Sequence, residues 1–127
     1  MSTVSANDRD DLAGEFRRPS KAEDRIIQLL LSSEFPGAPA LREQMSKALV
    51  RRIDAEGSLE ISSGDGPHAA VVRRVPVEAE AEDSDGVTIH VLLHVVDGLM
   101  RELEIYLEDS APVQRTPTPQ DLRVLVL

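Results

Sequence analysis

The residues best suited to chemistry lie in one stretch, 87–107, which reads VTIHVLLHVVDGLMRELEIYL. It holds two of the three histidines, His90 and His94, followed by Glu102, Glu104 and the only tyrosine, Tyr106. Imidazoles near carboxylates can ligate a metal or form an acid–base couple. Which of these is open depends on the element that carries them. Histidines at i and i+4 share one ion on a helix, but the hydrophobic period here is two, which is a strand. Four residues along a strand span roughly 13 Å. Metal–ligand bonds of about 2 Å cannot bridge that. No metal ligand, catalytic residue or cofactor site is therefore assigned. The plainer expectation is a cross-strand His90–Glu104 pair worth about 0.2–1 kcal/mol. As an acid–base couple that pair lacks a nucleophile and oxyanion donors nearby in sequence.

The same stretch is a hairpin, because Asp97-Gly98 separates two strand-like runs. A two-residue loop in an unbroken ladder would pair residues whose numbers sum to 195. Apolar Val91 would then face Glu104, and Leu93 would face Glu102, which is costly. An odd loop over Val96, Asp97 and Gly98, with Gly98 left-handed in a bulge, removes the conflict. It pairs Val91 with Leu103, Ile89 with Ile105 and His90 with Glu104. One face is then apolar. The other carries His90, Leu92, His94, Glu102, Glu104 and Tyr106, the candidate interaction face.

Elements around the hairpin follow from caps and periods. Ser20 and Glu23 form a capping box that opens a helix over 20–33, with Ile26, Leu29 and Leu30 on its apolar stripe. A shorter helix fits 39–48, with Pro39 in its first turn. From Leu49 the period is two. Short strands surround Leu49–Ile53 and Leu59–Ile61, and a longer one covers 70–82, apolar on one side and acidic on the other at Glu78, Glu80 and Glu82. Pro76 marks an edge, a bulge or a strand start in it. After Pro112, Pro117 and Pro119 the chain ends in LRVLVL, an added strand or a docked tail that should be covered. His68, beside the loop 62–67, reads as solvated. Gly64 and Gly66 precede Pro67 and a strand rather than a helix, so they form no phosphate cradle. The arginine pairs Arg51-Arg52 and Arg73-Arg74 read as partners for the many carboxylates. The layout is α+β: two N-terminal helices packed on one face of an antiparallel meander sheet of about five strands. Residues 1–19 read as a disordered arm, 20–113 as the domain, and 114–127 as a proline-containing linker with a short apolar strand or tail.

Composition narrows the function. Among 127 residues there is no cysteine, which excludes disulfides and thiolate chemistry. Residues 1–53 hold nine Lys/Arg against eight Asp/Glu, net +1, whereas 54–127 hold five against fifteen, net −10. The sheet-forming half would repel phosphate, so nucleic acid is disfavoured as a partner. No apolar run approaches the ~20 residues of a membrane span, and the N-terminus lacks a secretory signal pattern. A cytoplasmic setting, without membrane partners, is expected.

The segments FPGAPALREQ, RRIDAEGSLEI and, above all, LLHVVDGLMRELEIY resemble a family of small uncharacterised bacterial proteins. The resemblance covers about residues 20–113. It implies one small α+β domain of unknown function and brings no catalytic residues. Asp109-Ser110 stands where such sequences often have Asp-Gly. The leading expectation is a non-enzymatic protein-binding domain, of adaptor or immunity type, whose acidic surface meets a basic partner. The alternatives are a small ligand-binding domain or enzyme, which needs a concave pocket lined by His90, Glu102, Glu104 and Tyr106, and a dimerising module using Leu92 and Met100. Monomer and homodimer both remain open.

Overall fold

The computed structural model describes residues 14–127, so most of the N-terminal arm, residues 1–13, lies outside the described residues. Helix α1 spans Lys21–Leu31 and α2 spans Ala38–Met45. Six strands follow: β1 Leu49–Arg52, β2 Leu59–Ser62, β3 Val77–Glu82, β4 Thr88–Val96, β5 Leu99–Leu107 and β6 Arg123–Val126. They form one antiparallel sheet in the order β1-β2-β5-β4-β3-β6, so the fold is α+β with six strands. None of the described helices is long and apolar enough to cross a membrane.

The capping box forms: the Glu23 amide donates to Ser20 Oγ at 3.2 Å, and the Ser20 amide donates to Glu23 Oε1 at 2.8 Å. Burial raises the pKa of Glu23, but the Arg17 guanidinium and the Ser20 amide outweigh it and hold the carboxyl below its ordinary value. Arg17 also exchanges backbone hydrogen bonds with Val50, so the described end of the arm lies along β1. Strands β3 to β5 alternate strictly where the ladder is regular. Val77, Ala79 and Ala81 share the buried face with Ile89, Val91, Leu93 and Val95, and with Leu103, Ile105 and Leu107. Ile26, Ile27, Leu30, Leu31, Leu41 and Met45 of the helices complete that core.

Strand β3 is shorter than the period suggests. Residues 70–76 form no strand, 77–82 pair with β4, and only 77–80 pair on both sides. Pro76 has no amide to donate to a ladder. The Arg74 carbonyl nevertheless accepts from the Val95 amide at 2.7 Å, which continues contact with β4. The β2–β5 ladder pairs only Leu59 with Leu103 and Glu60 with Glu102. Buried serines prolong it. Ser58 Oγ accepts from the Ile105 amide at 2.8 Å, and Ser63 Oγ donates to the Met100 carbonyl at 2.9 Å. The C-terminal tail is an added strand, but it is only partly covered. Leu122 is buried, whereas Leu125, Val126 and Leu127 are 41–49% exposed along the open edge of β6.

The central hairpin departs most from expectation. Asp97 and Gly98 both have positive φ, 54° and 78°, as a type I′ two-residue turn requires. Val96 pairs with Leu99 and Val95 with Met100, after which the register shifts and His94 pairs with Glu102. Arg101 is the extra residue. The bulge lies inside β5 and not at Gly98. It restores the apolar-with-apolar parity, but two residues away from the expected pairing. Val91 meets Ile105, Ile89 meets Leu107, and His90 faces Tyr106 in place of Glu104.

Gln44 of α2 holds this turn. It is fully buried. Its Nε2 donates to the carbonyls of Pro67 and Gly98, both at 2.7 Å, and its Oε1 accepts from the Met100 amide at 3.0 Å. A Cβ on Gly98 would stand 2.8 Å from the Ala69 amide nitrogen, so positive φ and close approach both demand glycine there. At the far end of β5, Ser110 has φ of 66°, a left-handed position where glycine is unstrained.

Replacing Gln44 with leucine removes three hydrogen bonds and leaves a buried amide unpaired. Urea unfolding of Gln44→Leu is expected to show a loss of about 2–4 kcal/mol. A loss under ~0.5 kcal/mol would mean the clamp does not hold the turn. Ser110→Gly should stabilise the chain by roughly 0.5–1 kcal/mol in the same assay, and a destabilised Ser110→Gly chain would contradict the strain assigned there.

Candidate functional site

Both helices lie on one side of the sheet, leaving the other side open to solvent among the described residues. The register sorts its side chains into transverse rows. One row runs Arg51, Glu60, Glu102, His94 across β1, β2, β5 and β4. The next runs Glu104, Leu92, Glu78, Leu125 across β5, β4, β3 and β6. A third runs Tyr106, His90, Glu80, Arg123 in the same strand order. All six residues of the expected interaction face therefore share the open side. The structure adds Glu60, Glu78, Glu80, Arg123 and Leu125 as their neighbours.

The two histidines are separately engaged. His90 Nε2 lies 2.8 Å from Glu108 Oε1 and its Nδ1 lies 3.8 Å from Glu80 Oε2. Its ring stacks on Tyr106 with centroids 4.9 Å apart. His94 Nε2 lies 2.8 Å from Glu104 Oε1, while Arg74 Nε donates to His94 Nδ1 at 3.1 Å. Because Arg74 is only a donor, Nδ1 must accept, and the proton sits on Nε2 facing Glu104. With both nitrogens committed, His94 has no free lone pair to act as a base.

The carboxylates are unevenly compensated. Arg51 Nε pairs with Glu60 at 2.8 Å and Arg123 reaches Glu80 at 3.5 Å. Among the described residues the carboxylates of Glu78 and Glu102 meet no cation within ion-pair distance. Glu60 and Glu102 face one another directly across the ladder, an arrangement that like charges oppose. Tyr106 records the field: burial and then the carboxylates of Glu104, Glu78 and Glu108 push its phenol above the ordinary value.

A groove of about 420 Å³ opens beside this face, lined by Glu102, Glu104 and Tyr106 with Asp54, Glu56 and Pro112. It contains neither histidine, so this groove does not bring His90 together with Glu102, Glu104 and Tyr106.

One grouping was not anticipated. Donor atoms of His94, Glu102 and Glu104 all lie within 4.8 Å of one another. The sequence argument compared the two histidines along one strand. The grouping forms across strands, and only the observed register makes it.

Tyr106 is the only tyrosine and there is no tryptophan, so its ultraviolet titration is free of interference. The phenol should ionise above its ordinary value of 10.0, and Glu104→Gln should move the midpoint back down. A midpoint at or below the ordinary value, unmoved in Glu104→Gln, would contradict the field described for this face.

A family model described as Domain of unknown function (DUF6984) matches residues 16–117. Comparisons with curated proteins and with solved structures give no match.

Proposed function

We propose, from the premise that the chain belongs to the DUF6984 family, that it is a non-enzymatic protein-binding domain of adaptor or immunity type. Its open sheet face takes a basic partner. The observation that carries this reading is the row pattern of that face, on which Glu60, Glu78, Glu80, Glu102 and Glu104 are interleaved with Leu92, Tyr106 and Leu125. Carboxylates of one sign steer an oppositely charged partner and select against acidic ones. The groove lined by Asp54, Glu56, Glu102 and Glu104 suits a guanidinium, whose planar fork meets carboxylates two at a time. Both ring nitrogens of His94 are engaged, by Arg74 and Glu104, which favours binding over catalysis.

An arginine-rich peptide serves as a defined probe, with Tyr106 fluorescence and amide chemical shifts as readouts. Shifts should map to β3, β4 and β5. Affinity should fall at least ~10-fold in the triple variant Glu78→Gln, Glu80→Gln, Glu82→Gln, and again when salt rises from ~0.05 to ~0.5 M. An acidic peptide should not bind. Affinity for the basic peptide that survives both the triple variant and high salt would overturn the reading.

A further inference from the structure

We propose that His94, Glu102 and Glu104 form a binding site for a divalent transition-metal ion, for which Zn²⁺ is the best match. The donor set suits it: an imidazole nitrogen and two carboxylate oxygens are ordinary ligands of Zn²⁺ at about 2.0–2.2 Å, with a fourth position left for water or for a partner's side chain. The three donor atoms already lie within 4.8 Å of one another, which puts all three within reach of a single ion.

The backbone fixes the set. His94 and Glu102 are directly opposite in the β4–β5 ladder, and Glu104 is the next residue on the same face of β5. The bulge at Arg101 makes this so. In an unbroken ladder continued from the Asp97-Gly98 turn, Glu102 and Glu104 would face the opposite side from His94. The ligands also sit at the middle of the sheet, where both strands are paired on both sides near the site, and not on a loop.

The charges favour a cation at this point. Glu102 has no cationic partner among the described residues and directly faces Glu60 across the ladder. An ion held by Glu102 relieves that opposition. His94 is mostly shielded, at 15% exposure, whereas Glu104 at 38% keeps the site open to solvent.

Arg74 is the competing group. It donates to His94 Nδ1, which keeps the proton on Nε2, the atom a metal must reach. A metal at Nε2 displaces that proton, and the ring then favours Nδ1–H, which has no lone pair for Arg74. Arg74 must therefore let go. It lies in the irregular 70–76 segment and its side chain reaches solvent, so withdrawal breaks one exposed hydrogen bond. This gives the proposal a sign that a general acidic surface would not have: removing Arg74 strengthens metal binding.

The test is calorimetric titration of the full chain with ZnCl₂, with MgCl₂ as the oxygen-preferring control, and with folding of each variant verified by circular dichroism. Saturable one-to-one Zn²⁺ binding is expected. It should weaken at least ~10-fold in His94→Gln and in Glu102→Gln, persist in His90→Gln, and tighten in Arg74→Ala. Nitrogen-15 shifts should place the ion at His94 Nε2. Zn²⁺ binding that is absent, equal to Mg²⁺ binding, or unchanged in His94→Gln would overturn the site. The inference stands apart from the peptide-binding proposal: the β3 triple variant removes no metal ligand, and His94→Gln removes none of the carboxylates that would hold a basic peptide.

Discussion

Three hydrogen bonds from one buried amide organise this molecule. Gln44 joins the second helix to the loop before β3 and to the turn of the central hairpin. A type I′ turn alone would send β5 back in an even register that sets charges against the core. The Met100 amide, bound to Gln44, and the Gly98 carbonyl, shared between Gln44 and Ala69, hold the turn where it is. The bulge at Arg101 then reverses the parity of the remaining ladder. Everything on the open face, from the glutamate rows to the His94 grouping, depends on that reversal.

The two faces are stabilised in different ways. On the helix side, tightly packed Ile, Leu and Val side chains exclude water, and each contributes roughly 1.5–3 kcal/mol on burial. On the open side, the ion pairs Arg51–Glu60 and Arg123–Glu80 are partly solvated, and such pairs are worth about 0–1 kcal/mol. The open face can therefore exchange its internal partners for an external cation at small cost to the fold. A rigid backbone below weakly committed carboxylates is the physical basis of the proposed recognition by charge.

Much of the fold was legible in the sequence because its signals are local. Ser20 and Glu23 announced the first helix, Pro39 the second, and Asp97-Gly98 the hairpin. The alternation along β4 separated Ile89, Val91 and Leu93 from His90, Leu92 and His94. The register was not legible, because a two-residue turn followed by an internal bulge satisfies parity as well as a three-residue loop does. Choosing between them takes Gln44, a contact across 54 residues. Its signal was present in weak form, a polar residue beside Leu41, Met45 and Ala48 on an apolar helix stripe. Pairing of β2 with β5 and of β6 with β3 is likewise non-local. The grouping of His94 with Glu102 and Glu104 follows from the register and could not precede it.

The register of β4 against β5 is thus the claim on which the account rests, and backbone NMR reads it directly. Hα–Hα contacts are expected between Val91 and Ile105 and between Leu93 and Leu103. A contact between Val91 and Leu103 in their place would move Glu102 away from His94 and contradict the account.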